Sequence, residues 1–313
     1  MLRHILRRLL LAIPTLIAVI TIIFVIVRVI PGDPARAALG DQATDEAVNT
    51  LRTELGLNKS LFGQYLDYMG GLLQGDLGSS LITRASAWDQ IKYVLPHTIE
   101  LTIAAVLLSL LLGIPTGVIT AIRQNTWADY IGRVLSLAGL SAPAFYIGLL
   151  LIYLLSAKAG WFPAIGAGDF SDPLDNLHSL VLPMVTLGLV ETAYVARMTR
   201  SVMLNVLSDD YVRTARAKGL VERTVMIRHA LRAALVPIIS LVGIFAVGLI
   251  GSSVLTEEVF ARPGLGKLMI GATRQRDYTL LQAIMVVYAL IIVVINIVVD
   301  IVYTMADPRV RHG

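Results

Sequence analysis

The segment Pro263-Gly-Leu-Gly-Lys267 deserves a chemical test first, because a glycine-rich turn ending in lysine can cradle a phosphate. A Walker-type loop needs Gly, four residues, Gly-Lys and then Ser or Thr. Here Ala261 and Leu268 occupy the positions that must be Gly and Ser or Thr, so the segment reads as a turn. The five histidines (His4, His97, His178, His229, His312) are dispersed, with no His-Glu-x-x-His pair for zinc and no Gly-x-Ser-x-Gly elbow for a nucleophile. Cysteine is absent, which removes thiolate chemistry, disulfides and Cys-based metal sites. Three carboxylates, Glu100, Glu191 and Asp300, stand in or beside long apolar runs. If those runs cross lipid, a charge at their centre costs roughly 2.5–3.5 kcal/mol and must face protein or water. Glu100 and Asp300 fall near run ends and read as interfacial. Glu191 is the candidate for a pathway or helix–helix contact, with Arg197 or Arg200 as its simplest partner.

The most informative polar segment is 208–231. Ser208 is placed to cap a helix, and Asp209 and Asp210 suit a first turn, where the helix dipole favours negative charge. Tyr211, Val212 and Ala215 recur at helical spacing, while Arg213, Arg216 and Lys218 form a basic face. Gly219 fits a stop that needs left-handed backbone, and a second helix is expected from about Val221 to Pro237. Helix, glycine elbow, helix has two readings: a face whose small alanines admit a partner protein, or a basic amphipathic hairpin on anionic lipid.

The elements that must position these residues are set by hydropathy. Of 313 residues, 56% are hydrophobic and 15% charged, with a mean hydropathy of +0.74; soluble domains carry about a quarter charged residues. A spanning helix needs roughly 20 mostly apolar residues. Leu9–Val27 qualifies, and a secretory leader is the competing reading, with Ala35-Arg36-Ala37 as a small-x-small site. The run is longer than the roughly 7–15 residues of a leader core, so it reads as a retained first helix. Further spans are expected at about 99–122, 134–157, 179–197, 234–256 and 279–305, the fourth interrupted by Glu191. Pro14, Pro115, Pro143, Pro183 and Pro237 lie in or near spans, which a membrane bundle tolerates. The fold class is therefore all-α and polytopic, with about six spans. With the N-terminus inside, segments 1–8, 123–133, 197–232 and 306–313 hold fifteen Lys and Arg against five acids. The opposite segments hold ten against fourteen. Basic residues mark the cytoplasmic side, so both termini are expected inside, and the pI near 9.4 needs no nucleic-acid partner.

Four regions follow: 1–30, tail and first span; 31–95, an extracytoplasmic segment; 96–305, a five-span core containing 208–231; and 306–313, a cytoplasmic tail. Within 31–95, Pro31-Gly32-Asp33-Pro34 reads as a turn, Asp45–Leu57 as a short helix capped by Thr44 and ended near Gly56, and Tyr65–Leu73 as an amphipathic stretch. Gly113-Ile-Pro-Thr-Gly117 is a small-xxx-small pattern that allows close helix packing. The two halves show no evident correspondence, which weakens an ion-coupled secondary transporter.

At 211–220, Tyr-Val-Arg-Thr-Ala-Arg-Ala-Lys-Gly-Leu resembles the cytoplasmic coupling motif of ATP-binding-cassette importer permeases. Thr214, Ala215 and Gly219 match its positions, Leu235 and Pro237 approximate its end, and Arg213 replaces its usual Glu, as in the dipeptide, oligopeptide and nickel branch. Ile30–Pro34, Leu55–Leu57 with Gln64-Tyr65, Leu73–Ser79, Leu95-Pro96 with Thr98, Ala230–Arg232, Glu258–Gly266 and Asp307–Arg309 resemble the same branch in order along the chain. The first-segment stretches are similar to the first of the two paired permeases. The resemblance implies a type I importer permease fold in a bacterial or archaeal inner membrane. It implies a second homologous permease (a heterodimer), two ATPases that carry the ATP and magnesium, an extracytoplasmic binding protein, and no cofactor on this chain. It assigns ATPase coupling to Tyr211, Arg213, Thr214, Ala215, Arg216, Ala217, Lys218, Gly219 and Leu220. Glu258, Phe260, Pro263, Gly264 and Gly266 fall near the external mouth and, with Glu191, are candidates for a pathway or gate. The implied cargo is dipeptides or oligopeptides, with nickel chelates or glutathione-like solutes as alternatives.

Overall fold

The computed structural model describes residues 2–29, 33–40 and 42–306. The 306–313 tail beyond Ala306, the Asp307–Arg309 stretch and the Pro31-Gly32 half of the expected turn lie outside them. The described residues form helices α1 (Leu2–Val29), α2 (Pro34–Leu39), α3 (Asp45–Glu54), α4 (Leu61–Leu73), α5 (Ala87–Ile122), α6 (Trp127–Ser141) and α7 (Ala144–Leu151). They continue with α8 (Pro173–Ser208), α9 (Asp210–Ala217), α10 (Glu222–Thr224), α11 (Arg232–Val259), α12 (Leu265–Arg274) and α13 (Tyr278–Ala306). Ile152–Lys158 and Val225–Leu231 are π-helical extensions of α7 and α10. Among the described residues the extended pairing is limited to one bridge, Ser79 to Ser86.

Among the described residues five helices are long and apolar enough to cross a membrane, and a bent pair makes up to six. That pair covers the span expected at 134–157 and is bent rather than continuous. The chain turns by 98° between α6 and the α7 segment, where Pro143 pushes Ala142 into extended backbone (φ −89°, ψ 129°). The fourth span is also longer than expected: α8 runs unbroken through Glu191, Arg197 and Arg200 to Ser208. Its 36 residues measure about 54 Å at 1.5 Å per residue. The 197–232 stretch is accordingly a helix end plus an elbow rather than one loop. Pro237 lies inside α11 and does not end the helix that follows the elbow.

The chain divides into two compact units. One consists of residues 1–5, 97–262 and 295–313; the other of residues 6–96 and 263–294. In the first, α8 is the central element: 56% of its apolar window is buried, against 17% for α1 in the second unit. Leu101 and Ala105 of α5 pack on Leu180 and Leu187 of α8 and Leu249 of α11. Ala121, Met203, Ala234 and Ile238 form a second cluster nearer the elbow. Glycines set the α5–α8 approach. A Cβ on Gly117 would lie 2.5 Å from Thr199 Cβ and 2.6 Å from the Ala196 carbonyl, and one on Gly113 would lie 2.8 Å from Val195. The small-xxx-small pattern is thus a helix-contact seam.

In the second unit, Ala35, Val48 and Leu51 make a small core under α2 and α3. The Thr44 hydroxyl accepts from Ala47 N, and Gly56 has φ +66°, as the sequence predicts for α3. Ile91, Leu265, Ile284 and their neighbours form the larger core. Buried Asp277 fastens the 80–81 turn, accepting from Ser80 Oγ at 2.5 Å and from Leu81 N at 3.2 Å. Helix α5 begins at Ala87, inside the segment expected to end at 95.

Candidate functional site

The elbow follows directly from α8. Ser208 is the last residue of α8, its Oγ donating to the Asn205 carbonyl, and not the expected cap of the next helix. The break falls at extended Asp209 (φ −67°, ψ 147°), whose carbonyl accepts from Val212 N and Arg213 N. Val212 and Ala215 turn inward against Val225, Val206 and Leu207. Ala215 is therefore part of the corner's own core, packed within this chain. Tyr211, Arg213, Thr214, Arg216, Ala217, Lys218 and Leu220 are exposed.

Gly219 ends α9 at φ +77°. Leu220 N donates to the Ala215 carbonyl and Gly219 N to the Arg216 carbonyl, the paired bonds of a Schellman stop. A Cβ on Gly219 would meet nothing within 4 Å, so backbone conformation, not crowding inside the chain, requires glycine here. Arg216 closes the corner: its Nη2 and Nε donate to Glu222 at 2.8 and 3.2 Å. The Glu222 carboxylate raises the Arg216 pKa above its ordinary value.

At the other end of α8 lies a buried polar network. Arg262, just after α11, is 0% exposed and donates to Glu100 of α5 at 2.5 Å. Its Nη1 lies 3.5 Å from Ser179 Oγ, and Asn176 Nδ2 donates to the same Glu100 carboxylate. Buried Glu257 accepts from Thr98 Oγ1 at 2.7 Å. Burial pulls the Arg262 guanidinium below its ordinary pKa, while Glu100 and Glu257 oppose that pull. Glu100, expected to be interfacial, is thus a partner of a buried cation. Ser179 Oγ also accepts from Gly168 N, and the Phe260 carbonyl from Gly166 N, which ties the 159–172 loop to the network.

The expected gate residues are divided between the two units. Phe260 is 1% exposed and packed at Gly148, and Glu258 is half-buried. Pro263, Gly264 and Gly266 open the second unit, leading into α12. Glu191 is buried on α8 with no hydrogen-bond partner for Oε1 among the described residues. Its expected partners are engaged elsewhere. Arg200 donates to buried Asp129 of α6 at 2.7 and 2.9 Å, and Arg197 lies over the Tyr194 ring. The sequence reading missed Arg262, Asn176 and the Asp129–Arg200 pair. A usable signal existed: a carboxylate in an apolar run requires a cation, and Arg262 stands at the end of another span. Among the described residues no three His, Asp or Glu side chains converge as a metal site.

Long apolar helices around a buried ion network, with a polar elbow at one end of α8, are the architecture of a multi-pass membrane protein. Residues 113–312 match the family described as binding-protein-dependent transport system inner membrane component, and residues 1–102 match its N-terminal companion. The chain belongs to that family. It is a permease subunit of an ATP-binding-cassette importer in the dipeptide branch, and it resides in the inner membrane. It is a transport subunit and not an enzyme, and such a subunit works with ATPase and permease partners. The chain is 42% identical to the di/tripeptide transport system permease protein DppB of Pseudomonas aeruginosa, covering 100% of this chain and 99% of that one. It is 38% identical to the dipeptide permease DppB of Alkalihalophilus pseudofirmus and to the glutathione permease GsiC of Escherichia coli K12, over the full length of each. The fold matches the MetNI methionine ABC transporter in an inward-facing form, with TM-score 0.58 at 18% identity over 69% of this chain and 96% of that one. Membership of this family displaces the ion-coupled transporter alternative.

Proposed function

We propose that this chain forms half of the translocation pathway of an importer of short peptides, and that its elbow receives the motion of a cytoplasmic ATPase. The observation that carries the coupling reading is the elbow's construction. A rigid corner, stopped by Gly219 and clipped by Arg216 to Glu222, continues from α8 with its polar side outward. Packed elements shift between discrete arrangements rather than deform smoothly. A push on α9 is therefore carried into α8 and along the glycine-lined α5 contact.

In this reading Tyr211, Arg213, Ala217, Lys218 and Leu220 touch the ATPase, while Val212 and Ala215 hold the corner to its own subunit. Two ATPases carry ATP and magnesium, a homologous second permease completes the pore, and an extracytoplasmic binding protein delivers cargo. Both termini are cytoplasmic, and Glu191 and the Glu258–Gly266 stretch border the pathway. The names of the relatives support peptides of two or three residues, glutathione included.

Proteoliposomes holding the full complex test this reading. ATP-dependent uptake of a labelled dipeptide or of glutathione, abolished by omitting the binding protein, is the expected result. Uptake of a nickel chelate with no peptide uptake overturns the cargo assignment.

A further inference from the structure

A polar cavity of about 610 Å³ lies within the second unit, walled by the adjoining ends of α1 and α13 and by α2, α3 and α4. That volume falls within the roughly 300–1,000 Å³ of small-ligand sites. Arg28, Arg52, Asn58, Gln64 and Gln282 line it, with Asp33 as the one carboxylate among the described lining residues. Two guanidiniums against one carboxylate leave the described part of the wall net positive.

The donors are held in place. Arg28 lies over the Phe24 ring at 3.6 Å, and its Nε donates to Gln64 Oε1 at 3.1 Å. Its Nη1 donates to Gln282 Oε1 at 3.4 Å. Arg52 donates to Asp33 at 2.7 Å. A guanidinium carries five N–H donors, so both arginines keep capacity for a ligand. Gln282 is 6% exposed; its Nε2 faces Tyr68 and completes no hydrogen bond among the described residues. A buried amide donor without an acceptor is left desolvated and favours any acceptor that reaches it. An anionic oxygen group in the cavity would accept from Gln282 and from the guanidiniums together.

The surroundings identify the source of that group. Arg28 closes the 20-residue apolar window Leu10–Val29, which places it where hydrocarbon gives way to headgroups. Ile22, Val25, Ile26 and Val29 on that helix are exposed. Helix α4 carries one charge, Asp67, and exposes Leu61, Phe62, Leu66 and Leu73, as suits a helix lying in the membrane interface. Leu61 is itself part of the cavity wall. The cavity is thus bordered by apolar surface that acyl chains can cover.

We infer that this cavity binds the headgroup phosphate of an anionic phospholipid, whose acyl chains lie along α1 and α4. The inference draws on the membrane level of α1 and not on the cargo, so it stands or falls apart from the peptide reading.

Lipid retention by the purified full transporter, followed by native mass spectrometry during titration with phosphatidylglycerol or phosphatidylcholine, tests it. One tightly held phosphatidylglycerol per chain is expected, in preference to phosphatidylcholine. Arg52→Gln should weaken binding about five-fold, the contribution of one basic side chain near a lipid surface. Gln282→Leu should weaken it with charge unchanged, and circular dichroism of both variants should match the parent. Equal retention of both lipids, or binding untouched by both substitutions, overturns the inference. So does competition by soluble glycerol phosphate as effective as the lipid itself, which would make this a site for a soluble anion.

Discussion

Arg262 and Glu100 stand 162 positions apart in the chain, yet their side chains meet at 2.5 Å with the guanidinium wholly withdrawn from solvent. The pair fixes the turn after α11 to α5, and Asn176 brings in α8. From Asn176 to Ser208, where the elbow begins, α8 covers about 48 Å at 1.5 Å per residue. One helix therefore joins the buried network at one end to the corner at the other.

That pairing should govern stability. Removing one member of a buried pair strands a charge and costs about 3–5 kcal/mol, whereas replacing both with apolar groups costs far less. Arg262→Met should lower the thermal midpoint of the purified chain sharply, and Glu100→Leu added to it should restore part of the loss. Equal midpoints for the single and double variants would show that the two residues do not act as a pair.

Two glycines on long helices should respond in opposite directions. A methyl at Gly117 collides with Thr199 and the Ala196 carbonyl, so Gly117→Ala should destabilise by about 1–3 kcal/mol through overpacking. A methyl at Gly248 meets nothing within 4 Å, and Gly248→Ala should be neutral or stabilising by about 0.5–1 kcal/mol. Thermal unfolding of the two variants side by side checks the sign of each.

The elbow glycine is a conformational requirement. At φ +77° a β-branched residue carries the left-handed penalty of about 1–2 kcal/mol, and asparagine tolerates that region. Gly219→Val should insert normally but lose uptake, and Gly219→Asn should keep a measurable share. Full uptake by the valine variant would refute a rigid corner.

Hydropathy made the spans legible because lipid demands long apolar runs, and the same logic left α8 too short. Glu191, Arg197 and Arg200 look like interruptions until their surroundings are known: Arg200 is neutralised by Asp129, 71 positions away. Pro143 was visible, but whether a membrane proline kinks or breaks a span depends on its neighbours. The elbow was legible because its signals are local: acidic first turn, helical spacing, glycine stop. Even there Ser208 was misread, since α8 reaches it and leaves Asp209 to make the break. The Arg262 network was legible only in part: a carboxylate in an apolar run calls for a cation, but which cation, 162 positions away, is set by packing and not by spacing.

The central claim, that the outer face of α9 meets an ATPase while its inner face holds its own subunit, can be tested with single cysteines. The chain contains no cysteine, so each introduced thiol is unique in it. In the assembled transporter, Tyr211→Cys and Ala217→Cys, both at exposed positions, should form cross-links to the ATPase subunit, and Ala215→Cys, at a buried one, should not. Cross-linking from Ala215→Cys alone, or from none of the three in a complex that still imports, would contradict the account.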